Sequence, residues 1–171
     1  SETTVRFAAL VHDIGKGVTP PDQWPSHIRH EQLGVEVIGR MCERLKVPTE
    51  FRELGQLVSL QHQRIHRATA MNDSTVLEVL EAADAFRRPD RFDKALLACE
   101  ADARGRGPEL RASPYPQAQF FRDCLRAAAV VKLDAGVLKQ LAGPAIAQAV
   151  RAARVEAIRA VRVRACGAGP A

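Results

Sequence analysis

Apolar residues recur along most of the chain at intervals of three and four positions, which is the period of an amphipathic helix. No stretch alternates between apolar and polar residues in the way that a half-buried strand does. Asn72–Asp73–Ser74 has the composition of an N-cap cluster and predicts the start of a helix. The pattern therefore predicts an all-α fold with helices at about residues 3–14, 31–46, 50–66, 74–86, 89–104, 117–131, 134–141 and 144–163.

The Gly/Pro/Arg-rich stretch GRGPELRASPYP, residues 105–116, is the candidate domain boundary. Residues 1–103 carry 13 basic and 16 acidic side chains, a net charge of −3, whereas residues 104–171 carry 12 and 4, a net charge of +8. We predict a helical bundle over 1–104, a connector over 105–116 and a small basic helical tail over 117–171. Arginine in such excess suits the binding of phosphate groups, although a solvated surface has the same composition.

The bulk composition favours one soluble globular domain rather than a membrane or secreted protein. The 171 residues are 46% hydrophobic and 26% charged, and no apolar run approaches the ~20 residues that span a bilayer. No secretory signal is visible at the N-terminus, so we expect a cytoplasmic protein. The chain begins without methionine and almost inside a helix, and we therefore expect it to be part of a longer protein. The cysteines form no CxxC motif, which excludes a zinc finger and favours free thiols in a reducing cytosol; they are Cys42, Cys99, Cys124 and Cys166.

The histidines are confined to the first 66 residues, and clustered imidazoles are candidate metal ligands. His12 and Asp13 follow an apolar helix and precede the break Gly15–Lys16–Gly17, while His62 and His66 share a helix face at i, i+4. Each feature alone has a structural interpretation, such as a helix cap or a solvated face. The five histidines are His12, His27, His30, His62 and His66.

A carboxylate on a fourth element adds to this set. Asp84 lies on the otherwise apolar face of the predicted helix 74–86, where a buried carboxylate is costly unless it is paired or bound to a cation. Imidazole nitrogens with carboxylate oxygens suit Mn²⁺, Fe²⁺, Ni²⁺ or Mg²⁺ better than sulfur-rich sites do. The combination therefore predicts a hydrolytic metal site.

The residues that carry this chemistry resemble a known family. HD at the end of an apolar helix, GK after it, later histidines and a distal aspartate are similar to the HD-domain metal-dependent phosphohydrolases. The longer run RFAALVHDIGKGVTPPDQWPSHIRHEQLGVEVIGRMCERLKVP, with ACEADARGR and SPYPQAQFFRD, resembles the HD domain of bacterial multifunctional CCA-adding enzymes, the tRNA nucleotidyltransferases. The resemblance covers residues 5 to about 125, and the tail more loosely.

The resemblance implies an HD helical bundle over 1–104 and a set of activities. Family members carry a nucleotidyltransferase head that restores the tRNA 3′-CCA end. Their HD domain adds metal-dependent 2′,3′-cyclic phosphodiesterase, 2′-nucleotidase and phosphatase activities, with Ni²⁺ or Mg²⁺ implicated. The present sequence contains neither a GGxxRD-like turn nor a paired-carboxylate DxD, so we expect the HD half, unable to add CCA alone.

The resemblance also implies the residues of the site. The implied ligands of a divalent metal (Ni²⁺, Mg²⁺ or Mn²⁺) are His12, Asp13, His30, His62 and Asp84, and the candidate catalytic residues are Asp13, His62 and Lys16. Asp102, in EADARGR, is a rival to Asp84, with the alternative role of organising neighbouring arginines. Lys16 has the alternative of a solvated cation at a helix end. HD enzymes usually contribute a further ligand histidine upstream of the HD pair, and none precedes His12 here, so the activity of this chain alone is left open.

Nucleic-acid contacts are expected outside the metal site. Trp24, the only tryptophan, is either a platform for a base or an anchor for its proline-rich loop, and Arg64 and Arg67 are further candidates for phosphate contacts. The expected partners are tRNA or 2′,3′-cyclic or 2′-phosphorylated nucleotides, and whether two chains form a homodimer is open. A module that binds RNA or dimerises, with a vestigial HD site, is the alternative function; a signalling HD domain fits the TPPDQWP loop less well. The arginines predicted to contact nucleic acid are Arg104, Arg106, Arg151 and Arg154.

Overall fold

A computed structural model describes the backbone of residues 2–167, and the side chains of that range apart from 137–139, 166 and 167. The all-α prediction is confirmed, and no strand occurs between residues 2 and 167. Short 3₁₀ helices at Ile14–Val18, Pro21–Gln23, Ala68–Ala70 and Pro108–Leu110 connect the longer elements. The α-helices are α1 (Thr3–Val11), α2 (His30–Arg44), α3 (Thr49–His66), α4 (Asp73–Ala82), α5 (Pro89–Gly105), α6 (Pro116–Ala129), α7 (Ala135–Gln140) and α8 (Pro144–Gly167).

The first helix is shorter than predicted, and this places the His–Asp pair in a turn. Helix α1 ends at Val11, and Asp13 already has φ −100° and ψ 7°, outside the helical range. The backbone N–H of Lys16 donates to the Asp13 carbonyl at 3.0 Å, which closes a tighter 3₁₀ turn. The turn points consecutive side chains in directions that a continued α-helix would not allow.

Helix α4 also ends earlier than predicted, through a Schellman motif. Asp84 adopts a left-handed conformation with φ 53°, and its N–H donates to Glu81 O at 3.0 Å. The Ala85 N–H donates to Leu80 O at 2.9 Å, which completes the two-bond pattern. Asp84 therefore lies in the turn that stops α4 instead of on the helix face where the sequence pattern placed it.

The core continues across the predicted boundary at residues 105–116. The buried ring of Phe92 on α5 lies 5.7 Å from that of Phe121 on α6, edge to face, and Ile158 on α8 belongs to the same apolar cluster. Helix α8 packs against both α4 and α6. The division into domain, connector and tail stays a prediction, but α6 and α8 share the core of the preceding helices.

Arginines on α8 hold this helix to the rest of the bundle. Arg151 pairs with Glu81 and approaches Glu78 at 3.7 Å, and the guanidinium of Arg154 lies 4.1 Å above the ring of Phe86. Both arginines predicted to contact nucleic acid on this helix therefore make intramolecular contacts. Their role in RNA binding stays a prediction.

Cys42, Cys99 and Cys124 are buried free thiols, and the side chain of Cys166 lies outside the described residues. Among the helices that the structure describes, none is both long and apolar enough to cross a membrane.

Candidate metal centre

The chain brings four of the predicted site residues together from three elements. His12 caps the C-terminus of α1 and Asp13 follows it, His30 is the first residue of α2, and His62 lies near the end of α3. All three histidines are buried, and His62 is only 1% exposed. Side chains fifty positions apart in the sequence therefore lie next to one another.

Two glycines allow the His–Asp turn to reach the other elements. A Cβ on Gly15 would overlap the carbonyl oxygen of His30 and lie 2.5 Å from the backbone nitrogen of Gly34. A Cβ on Gly34 would in turn overlap the hydroxyl of Ser59 on α3. Backbone therefore packs directly on backbone here, which only glycine permits, and the packing fixes Asp13 relative to His30.

The carboxylate of Asp13 lies at the centre of the three imidazoles. Its Oδ1 is 3.2 Å from His30 Nε2 and 3.5 Å from His62 Nε2, and its Oδ2 is 3.3 Å from His12 Nε2. The Nε2 atoms of His30 and His62 are themselves 3.5 Å apart. Every ring therefore turns the same nitrogen toward one small volume.

Backbone hydrogen bonds fix which nitrogen of each ring faces this volume. His12, His30 and His62 each place Nδ1 at 2.7–2.9 Å from a carbonyl oxygen three residues earlier. A carbonyl only accepts, so Nδ1 carries the hydrogen, and in the neutral ring Nε2 presents a lone pair. The acceptors are the carbonyls of Ala9, His27 and Ser59.

The donor set fits a divalent cation. His12 Nε2 and Asp13 Oδ1 are buried and have no hydrogen-bond partner among the described residues, which is costly for polar atoms. One ligand atom from each of His12, Asp13 and His62 lies within 4.8 Å of the others. Imidazoles held by a second hydrogen bond, together with a carboxylate, form a donor set that suits a divalent transition metal.

The pKa values in this cluster agree with a carboxylate that stays ionised. Burial raises the pKa of Asp13, but the close approach of His12 and the hydrogen bond from Lys16 outweigh it and hold the pKa well below the ordinary value. Burial lowers the pKa of His62. Burial also lowers the pKa of His12, but the contact with Asp13, the hydrogen bond to Ala9 O and the charge of Asp102 together raise it overall.

Asp102 reaches the same site from α5 and joins it to a second group of side chains. Its Oδ1 lies 3.6 Å from His12 Nε2, and its Oδ2 accepts hydrogen bonds from His66 Nε2 at 2.9 Å and from Arg106 at 2.7 Å. The Tyr115 hydroxyl lies 2.8 Å from His66 Nδ1. Because His66 Nε2 carries the hydrogen bound by Asp102, Tyr115 is the donor to Nδ1. Burial raises the pKa of Asp102, but the hydrogen bonds from His66 and Arg106 lower it overall.

Asp84 is not brought to the cluster, whereas its rival Asp102 is. The side chain of Asp84 lies 3.8 Å from Arg87 in the exposed turn after α4, and no described contact joins it to the histidines. The positive φ that ends α4 turns Asp84 away from the helix face. Nothing in the local sequence distinguishes the two aspartates, because the approach of Asp102 depends on how α5 packs against α1 and α3.

The cationic candidates lie at the rim of the site. Lys16 Nζ is 2.5 Å from Asp13 Oδ2, and Arg106 makes two hydrogen bonds to Asp102 with much of its side chain exposed. Arg104 pairs with Glu100 at 2.8 Å and, unlike Lys16 and Arg106, has no described bond to Asp13 or Asp102. Sequence reasoning missed Tyr115 and the part played by His66, for which the i, i+4 spacing from His62 was the one available indication.

Comparison with known proteins agrees with the geometry. The family model described as HD domain matches residues 1–88. The multifunctional CCA protein of Nitrosococcus oceani is 47% identical over 154 residues, which is 90% of this chain and 38% of that protein. The multifunctional CCA proteins of Stenotrophomonas maltophilia and Hahella chejuensis are 46% and 52% identical over 88% and 71% of this chain, or 37% and 28% of their own lengths. The chain thus spans less than two fifths of these relatives, and no solved structure matches it.

Proposed function

This chain belongs to the HD domain family, and from that premise we propose that it is the phosphohydrolase half of a CCA-adding enzyme. The proposed reaction is metal-dependent hydrolysis of 2′,3′-cyclic phosphates, with 2′-nucleotidase and phosphatase activity at the same centre. The proposed partner is tRNA, since the relatives are named for CCA addition.

The observation that carries the proposal is the convergence of three imidazole Nε2 atoms on the carboxylate of Asp13, at 3.2–3.5 Å. Between a neutral imidazole and the carboxylate, the Nε2 lone pair and the negative charge repel one another. A divalent ion held by His12, Asp13, His30 and His62 would remove this repulsion and would supply Lewis-acid activation of a phosphoryl oxygen and of the attacking water. The burial and fixed orientation of the three rings favour a working site over a vestigial one.

The remaining residues hold and orient the reacting groups in this proposal. Tyr115 holds His66, which in turn bonds the Oδ2 of Asp102. The Oδ1 of Asp102 accepts from Arg106 Nε at 3.4 Å and lies 3.6 Å from His12 Nε2. Lys16 Nζ, 40% exposed, offers positive charge to a phosphate that approaches Asp13. Arg106 offers a planar donor pair at the opposite rim.

Hydrolysis of 2′,3′-cyclic AMP with added Ni²⁺, Mn²⁺ or Mg²⁺ tests the proposal. We expect metal-dependent turnover that falls by at least about 10³-fold in Asp13→Ala, because this variant removes a ligand whose carboxylate lies 3.2–3.5 Å from three imidazoles. Asp84→Ala, which removes a carboxylate outside the cluster, is the matched control and should retain full turnover. Equal turnover by the wild type and Asp13→Ala would contradict the proposal, as would turnover that persists in a chelator.

A further inference from the structure

A pocket of about 190 Å³ opens beside the metal centre, at the start of α2. Its lining includes His27, Arg29, His30, Gln63 and Arg67. His30 belongs to both the metal centre and the pocket, because its Nε2 lies 3.2 Å from Asp13 Oδ1 and the residue also lines the pocket. The pocket therefore adjoins the metal donors through His30.

The two arginines of the pocket have no partner for their charge. Neither Arg29 nor Arg67 pairs with a carboxylate in the part of the chain that the structure describes, whereas Arg64 on the same helix as the pocket's Gln63 bonds Glu78 at 3.0 Å. Glu31 is the acidic residue in the lining, and its Oε2 lies 3.7 Å from His30 Nδ1. The pocket thus holds two unneutralised guanidinium groups against one carboxylate, a charge pattern that suits a phosphate group.

An aromatic ring lies beside one residue of the pocket lining, His27. Trp24 is 59% exposed, so it does not anchor its loop by burial, and its ring lies 6.1 Å from that of His27. Its indole N–H donates to Thr19 O at 3.3 Å, and the Thr19 hydroxyl lies 2.6 Å from His27 Nδ1. These bonds hold the indole near His27, and more than half of Trp24 stays accessible to a stacking partner.

We infer that the pocket binds the phosphodiester on the 5′ side of the reacting nucleotide, and that Trp24 stacks on the base beyond it. The substrate is then the 3′ end of a single-stranded RNA rather than a mononucleotide. The inference rests on the proposed function, because it assumes that the reacting phosphate lies at the donors around Asp13. A polynucleotide provides both features that the surface matches, a second phosphate and a second base.

Fluorescence of the metal-free protein tests the inference without turnover, because Trp24 is the sole tryptophan. The probes are adenosine 2′,3′-cyclic phosphate, its 5′-phosphorylated form, and the dinucleotide cytidylyl-adenosine 2′,3′-cyclic phosphate. We expect the dinucleotide to quench Trp24 and to bind at least about tenfold more tightly than the first probe, since one stacked base contributes this much. Arg67→Ala and Arg29→Ala should each weaken dinucleotide binding about tenfold. Both should leave the affinity for adenosine 2′,3′-cyclic phosphate, which has no 5′-phosphate, unchanged.

Arg44→Ala is the matched control, because it removes an exposed arginine from the far end of α2, about 20 Å from His30. It should bind all three probes as the wild type does. Equal affinity of the wild type for the first probe and the dinucleotide would overturn the inference, even if the mononucleotide is hydrolysed. If the 5′-phosphorylated mononucleotide binds as tightly as the dinucleotide and does not quench the fluorescence of Trp24, the proposed role of Trp24 is wrong. Failure to hydrolyse 2′,3′-cyclic AMP with metal would instead contradict the proposed function, and tight dinucleotide binding would then remain as a property of the pocket.

Discussion

The Nε2 atoms of His30 and His62 lie 3.5 Å apart, although neither is placed to donate a hydrogen bond to the other. Each ring holds its hydrogen on Nδ1, bound to a backbone carbonyl of its own chain segment. Where both rings are neutral, two lone pairs face each other beside the carboxylate of Asp13, and a cation or a proton on one ring relieves their repulsion. The backbone therefore holds these groups in an arrangement that favours a bound cation.

Metal should stabilise the folded chain, and chelation should reverse the effect. At a metal concentration 100 times the dissociation constant, the gain is about 2.7 kcal/mol, or roughly 5–10 °C in the melting temperature. His62→Ala removes a donor from the centre of the cluster and should abolish most of this shift. Melting curves with Mn²⁺ or Ni²⁺, and then with a chelator, measure the difference within each variant. An equal shift in wild type and His62→Ala would show that the metal binds elsewhere.

The two candidate aspartates should differ sharply in their effect on metal binding. Asp102→Asn keeps the size of the side chain but removes the charge 3.6 Å from His12 Nε2, and we expect metal affinity to fall about 10–100-fold. Asp84→Asn should leave it unchanged, because Asp84 contacts Arg87 in an exposed turn. Titration calorimetry on both variants makes the comparison. A loss of affinity in Asp84→Asn alone would restore the assignment made from the sequence.

The glycines of the His–Asp turn should respond unequally to substitution. Gly15→Ala places a methyl group against the backbone of His30 and Gly34, so we expect a loss of about 1–3 kcal/mol in the free energy of unfolding and weaker metal binding. Gly17→Ala, two residues later, meets nothing within 4 Å and should cost less than about 0.5 kcal/mol. Denaturant unfolding of both variants checks the prediction, and equal costs would contradict the close packing as its cause.

Helix α8 should depend on Arg162 more than on its exposed neighbour. Arg162 bonds Asp73 at 2.7 Å and the carbonyls of Thr69 and Met71 at 3.0 and 2.7 Å. Arg162→Ala should lower the free energy of unfolding by about 2 kcal/mol, because it leaves these partners unsatisfied. Arg164→Ala removes the same charge from an exposed position and should change it by less than about 0.5 kcal/mol. Denaturant midpoints compare the two, and equal losses would mean that the contacts of Arg162 do not hold the helix.

The alkaline limit of stability should involve Cys124. Burial raises the pKa of its thiol to about 12, so the folded protein keeps the proton that the unfolded chain releases above about pH 9. The protonated Cys124 thiol contributes fully to stability below pH 9, and this contribution is lost as pH rises toward 12. Between pH 7.5 and pH 10, the free energy of unfolding of Cys124→Ala should therefore fall by about 1 kcal/mol less than that of the wild type. Val161→Ala, a cavity variant without a thiol, should decline as steeply as the wild type; an equally shallow decline would contradict the titration as the cause.

The sequence pattern was sufficient for the fold class, and it also brought out most of the side chains that the structure places together at the candidate metal centre. Helical periodicity depends on local spacing, so it can be read directly from the sequence. His12, His30 and His62 stand out because all the histidines of the chain lie within its first 66 residues, and Asp13 directly follows His12. The ends of α1 and α4 were misplaced because a 3₁₀ turn and a left-handed Asp84 interrupt helices without any proline or glycine at the last helical residue.

The contribution of Asp102 could not be derived from spacing in the same way. Its distance to His12 is set by the packing of α5 on α1, a contact between residues 90 positions apart. The same holds for Tyr115, which reaches His66 across 49 positions. Sequence patterns describe which face of a helix is apolar, but they do not fix the register in which two helices meet.

The hydrogen bond from Tyr115 to His66 has a consequence for the order in which the site is made. A ribosome adds about 5–20 residues per second, so the imidazole of His12 exists roughly 5–20 s before the phenol of Tyr115 is added. During that interval the nascent chain carries histidines without the Asp102–His66–Tyr115 group that completes their surroundings. A nascent chain that ends before residue 115 therefore lacks the hydrogen bond that orients His66 toward Asp102.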